Sequence, residues 1–96
     1  MSSKIQMKVR GSRGLSRHKT KDEQFLLALY HKAKASQDPE AEFSVAEIGQ
    51  SLGLSPRVQD TIVNTLAKTN FVKKSSFGFV QITAHGIRIA QVILQQ

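Results

Sequence analysis

The strongest constraint on this chain is the passage from residue 44 to residue 66. There, two apolar patterns of helical period are separated by a glycine and a serine–proline pair. Ser44 and Glu47 form an S-x-x-E capping box, a signal for a helix start. Val45, Ile48 and Leu52 then recur at helical spacing, and Gly53 stands where a C-terminal glycine ends a helix. Ser55 is the next cap, and Pro56 takes the first helical position, where a missing N–H is no loss. Val58, Ile62 and Leu66 make an i, i+4, i+8 stripe that anchors a helix over 56–69 by its inner face. Arg57, Asp60, Thr61, Asn64 and Lys68 point the other way. Gly49 is small where the two helices approach, and Leu54 plugs the core beneath the turn.

The flanks extend this pattern. Thr20 and Glu23 form another capping box, predicting a helix from about Lys21 to Ala35 with Phe25, Leu26, Leu29, Tyr30 and Ala33 on its core face. Residues 36–42 read as an acidic loop broken by Pro39, with a short strand expected at Glu42–Phe43. Asn70 suits a left-handed helix end. Residues 71–74 and 79–82 read as the strands of a hairpin around Ser75-Ser76-Phe77-Gly78. Phe77, at the tip, is expected to fold back onto the first helix, with stacking on a base as the alternative. Thr83 caps a last helix to about Leu94, whose apolar residues spread over much of its circumference. Ile87, Ile89, Val92 and Ile93 are therefore expected to meet a second copy, or simply to cover the first helix. The expected fold class is α+β, mostly helical: a three-helix core, a β-hairpin wing and a C-terminal helix.

Residues 47–72 and the later Ile82-Thr83-Ala84-His85-Gly86-Ile87-Arg88-Ile89-Ala90 together resemble the winged helix-turn-helix of bacterial and archaeal transcription regulators, such as the MarR-type families. The shared pattern is I-x-x-x-L-G-L-S-x-x-x-V-x-x-x-L/I-x-x-x-L, an apolar pair opening the wing, and L-T-x-x-G-x-x-x-A after it. The resemblance covers residues 20–94. It implies a DNA-binding domain whose helix 56–69 enters the major groove. The chain departs from the pattern at Asn70, where glycine is frequent, and at Asp60, an acid on the outer face.

Charge adds a second division. The chain carries a net +7, with no cysteine. Residues 1–21 hold seven basic residues and no acid, whereas 22–96 hold seven of each sign. Residues 1–19 thus read as a basic arm on a balanced domain of residues 20–96. Such an arm suits DNA, RNA or an acidic membrane, and equally a solvated tail. The run from Lys4 to Arg10 alternates like an edge strand. The absence of cysteine excludes disulfides and thiol chemistry. No apolar stretch suits a membrane span or a secretion signal. His18, His31 and His85 fall on different elements without metal-ligand spacing, so no metal, cofactor or catalytic site is expected and the chain is read as a non-enzyme.

Candidate contacts follow from side-chain chemistry. Arginine binds guanine bidentately and asparagine binds adenine, so Arg57, Thr61 and Asn64 are candidates for base edges; Asp60 can accept from cytosine N4 or hold Arg57. Lys68 suits phosphate. Lys73, Lys74, Ser75 and Ser76 suit the backbone along the wing, or else the lysines guard an edge strand. Lys8, Arg10, Arg13, Arg17 and Lys19 are the arm's candidates, with Arg10-Gly11-Ser12-Arg13-Gly14 suited to a minor groove. The expected function is double-stranded DNA binding, sequence-specific or architectural, by a cytoplasmic, nucleoid-associated transcription regulator that pairs as a homodimer through its last helix. The alternatives are a winged helix that binds protein, and RNA binding through the basic arm.

Overall fold

Each helix starts where a hydroxyl side chain takes up a backbone N–H that the helix itself leaves free. The computed structural model describes residues 19–38 and 40–95. The strand expected over 4–10, the arm residues Lys8, Arg10, Arg13 and Arg17, and the breaker Pro39 lie outside them. In chain order the elements are α1 (Lys21–Ser36), β1 (Phe43–Ser44), α2 (Val45–Ser51), α3 (Pro56–Lys68), β2 (Val72–Lys74), β3 (Phe79–Ile82) and α4 (Ala84–Leu94). The described part is an α+β fold of helices around a small antiparallel sheet.

The caps are Thr20, Ser44, Ser55 and Thr83, whose oxygens accept from Glu23 N at 3.1 Å, Glu47 N at 3.2 Å, Val58 N at 3.3 Å and Gly86 N at 2.9 Å. At Thr20 the box is reciprocal, since Thr20 N donates to Glu23 Oε1 at 2.9 Å. At Ser44 only half of the expected box forms; the Glu47 carboxylate lies 3.9 Å from Lys32 Nζ instead. Both of those side chains are solvated, so the ion pair adds little. Ser55→Ala is expected to lower stability by about 1 kcal/mol. It should move the urea midpoint without changing the slope.

The sheet order is β1-β3-β2. The β2–β3 hairpin pairs Val72 with Ile82, Lys73 with Gln81 and Lys74 with Val80; β1 lies along the other edge of β3, pairing Phe43 with Val80 and Ser44 with Phe79. Val72, Val80 and Ile82 turn inward and are almost wholly buried.

Helix α1 is the centre of the molecule. It touches α2, α3, β3 and α4. Phe25, Leu26 and Leu29 are therefore sealed from solvent, and Leu27, off the expected face, is buried as well. A helix packed on several sides buries more than one stripe. The cavity term makes such fully enclosed side chains the most sensitive to truncation.

Helix α4 lays Gly86, Ala90 and Ile93 against the core, at i, i+4 and i+7. This corrects the expectation for Ile93: its side chain is only 6% exposed and belongs to the chain's own interior, not to a partner-facing side. Ile87 and Ile89 are half-buried against the same core. Val92 remains outward at 54% exposure, joined by Leu94 at 46%. Among the described residues, no helix is long and apolar enough to cross a membrane.

Candidate functional site

Two elements build the site: helix α3 and the hairpin strand β2 that packs beside it. Helix α3 is held from below by Gln59, Ile62, Val63 and Leu66, all buried. The anchoring ridge is thus turned slightly from the expected one. Val58 is only half-buried, while Gln59 and Val63 take inner positions. Gln59 lies inside because its amide has a specific partner: Nε2 donates to the Leu54 carbonyl at 2.8 Å. The side chain lies over Gly49, where any Cβ would overlap its Cγ, Cδ and Nε2. A buried polar group demands such a bond, and Gln59 supplies it to a carbonyl in the inter-helix turn. The turn itself uses Gly53 at φ +72°.

With its inner face occupied, α3 exposes Arg57, Asp60, Thr61, Asn64, Thr65 and Lys68. The expected outward residues all lie on this face. Two of them, Thr61 and Asn64, are more committed than their residue types suggest. The Thr61 hydroxyl donates to the Arg57 carbonyl at 3.1 Å, and Thr65 repeats the bond one turn later to Thr61 O at 3.0 Å. Thr69 Oγ1 bonds Thr65 O at 3.2 Å. Hydroxyls bonded back to the helix have no proton left to offer a base edge, so Thr61 can act there only as an acceptor or apolar contact. Asn64 Oδ1 accepts from Lys74 Nζ at 2.9 Å. The two-point adenine contact expected of Asn64 would have to share Oδ1 with Lys74. As placed, the amide offers its NH₂ donors and the second lone pair of Oδ1. Arg57 and Asp60 are both exposed and, among the described residues, form no ion pair with one another, so Asp60 does not hold Arg57.

The hairpin carries Lys73, exposed, beside Lys74. Ser75 N donates to Phe79 O and Phe79 N to Ser76 O, both at 2.9 Å, which closes the turn. Ser75 is half-buried and Ser76 exposed. Phe77 does not fold back onto α1. Its side chain is 98% exposed, because the closed turn with Gly78 at φ +71° points it away from the body of the molecule. Lys19, the one arm candidate described, is exposed just before the Thr20 cap.

Away from this face, an open groove between α1 and α4 is lined by Tyr30, Ala33, Ile87 and Gln91; it shares no residue with the α3 surface. His85 lies against the Phe71 ring at 4.9 Å between centroids. Among the described residues, no group of three or more His, Asp or Glu side chains is placed to hold a metal ion. No protein-family model matches this sequence, and no curated protein matches it either.

Gln59 and Val63 escaped the sequence pattern for different reasons. Val63 carries an apolar signal at i+1 from Ile62, which a single i, i+4 stripe overlooks. Gln59 carries no hydropathy signal at all. The hint would have been its position opposite Gly49, a small residue with room above it.

Proposed function

We propose that this chain is a winged helix domain that binds double-stranded DNA as a transcription regulator or small chromatin-like factor, with α3 as the helix that enters the major groove. One observation carries the reading. The whole outer face of α3 is open to solvent while its inner face is locked into the core, and a lysine-bearing hairpin stands directly beside it. A protein helix of this width fits the major groove, where a polar face reads base edges. In this reading Arg57 and Asn64 approach bases, Lys68 and Lys73 meet phosphates, and the basic arm adds phosphate contacts. Val92, outward on α4 with the half-buried Ile89 three residues before it, gives a second copy an apolar place to rest, so that two α3 helices meet one duplex.

The test is binding of the full chain to a duplex as a function of salt. The logarithm of the affinity should fall with the logarithm of salt by about 0.9 per phosphate neutralised. Lys68→Ala should make the slope shallower by about one such step. An affinity for duplex that is unchanged from low to high salt would rule the proposal out. A second reading is favoured by Asp60, exposed on the same face, and by the charge balance of residues 22–96: a winged helix that docks on protein. Amide shift mapping with duplex separates the two, since a silent α3 beside a responding arm supports the protein partner.

A further inference from the structure

An exposed phenylalanine at the tip of a well-closed hairpin has no role in the fold. Burying such a ring contributes roughly 1.5–3 kcal/mol, and Phe77 takes none of it, being 98% exposed. The turn does not present it by looseness. Two bonds close the hairpin between Ser75 or Ser76 and Phe79, and a third ties the tip to the start of α2: Val45 N donates to Gly78 O at 2.8 Å. Three backbone bonds thus fix the turn on which the ring stands. Phe79, 42% exposed, follows two residues on. Residues 71–82 contain Lys73 and Lys74 and no acid, so the hairpin is cationic as well as aromatic.

A cationic ribbon with one apolar ring at its end matches a polyanion whose interior is apolar: duplex nucleic acid at a base step. Apolar side chains entering the minor groove partly unstack a step and kink the duplex. We infer that Phe77 is a wedge that presses on a base step in the DNA minor groove while the lysines behind it meet the backbone. This rests on the duplex-binding reading above and adds to it a residue, a groove and a deformation. Pyrimidine–purine steps open most easily, so the wedge should favour them. Because the tip is already fixed before binding, little ordering cost opposes the contact.

The experiment uses the full chain, a duplex of about 20 base pairs with the fluorescent analogue 2-aminopurine at a TA step, and the variants Phe77→Ala and Phe77→Trp. Phe77 touches so little that both variants should melt with the parent. Anisotropy of a dye on the duplex reports binding; 2-aminopurine emission reports unstacking. The parent should raise that emission. Phe77→Ala should lose the rise and weaken binding about 5- to 150-fold, the range for one stacked aromatic, with an unchanged salt slope. Phe77→Trp introduces the chain's only tryptophan and should bind like the parent, with its indole emission quenched.

If Phe77→Ala binds as tightly as the parent, or the indole emission of Phe77→Trp is unmoved in the saturated complex, the wedge is overturned while duplex binding stands. Quenching by single strands or structured RNA but not by duplex also overturns it, as does self-association of the free chain that Phe77→Ala abolishes. If the parent shows no anisotropy change with duplex at low salt, the duplex reading itself fails and the wedge falls with it.

Discussion

Gly86→Ala is expected to destabilise the protein by about 3 kcal/mol or more, the upper end of what overpacking does to a core site. The added Cβ would overlap the Phe71 carbonyl oxygen and lie 2.9 Å from its carbon and 3.0 Å from Ile82 Cγ1. Relief by movement is blocked, because that carbonyl is already committed. It accepts from Thr83 N at 3.1 Å and from Thr83 Oγ1 at 3.0 Å, and the same hydroxyl reaches Asn70 O at 2.7 Å. Thr83 is also the cap of α4. Shifting the strand away from Gly86 therefore breaks the bonds that join the end of α3, the start of β2 and the start of α4. Against a total of roughly 4–12 kcal/mol for a domain of this size, the loss is a large fraction. Urea unfolding followed by far-ultraviolet circular dichroism measures it. A midpoint close to that of the parent would show that α4 can slide, contrary to the bonding around Thr83.

The same Thr-x-x-Gly unit shows what was legible in the sequence and why. Thr83 was readable as a cap because its chemistry is local: a hydroxyl accepting from an N–H three residues on. The other three caps were readable in the same way, as was Asn70, whose φ of 65° is the left-handed turn its side chain tolerates. The hairpin followed from two β-rich runs around a glycine, and its register needed only the alternation that sends Val80 and Ile82 inward. By contrast, the reason for glycine at 86 lies in a backbone fifteen residues earlier, which no local pattern encodes.

The site was legible in outline for a related reason. Amphipathic period assigns sides, so the outward set on α3 came out correctly, and all of its members are exposed. Period does not assign what a side chain does once outside. The Lys74–Asn64 contact and the threonine bonds back to the helix depend on where β2 lies and on rotamers, and both narrow what those residues can offer a ligand. Ile93 illustrates the limit on α4. The helix is apolar on most of its surface, and hydropathy alone cannot say which part α1 covers. Phe77 is the sharpest case: apolarity predicts burial, while the turn geometry of Gly78 holds it in solvent.

Gly49 and Gln59 allow a test in which one substitution changes sign with its background. In the parent, Gly49→Ala should destabilise by about 2 kcal/mol, because the new methyl displaces Gln59 and breaks its bond to Leu54 O. Gln59→Ala alone should lower stability by about 2 kcal/mol, since it leaves a buried carbonyl without its donor. Gln59 supplies the three atoms nearest to a Cβ at Gly49, and with them gone alanine is the better helix former by about 1 kcal/mol. Gly49→Ala should then stabilise the Gln59→Ala variant. The resulting coupling, about 3 kcal/mol, sits at the top of the range for residues in direct contact. Urea midpoints of the four proteins measure it. Additive effects would show that Gln59 is not what sets the spacing of α2 and α3. The functional consequence follows from the same contact, because α3 is tilted on α2 by what lies between them. Duplex binding should weaken in Gly49→Ala beyond what its stability loss explains, and recover in the double variant.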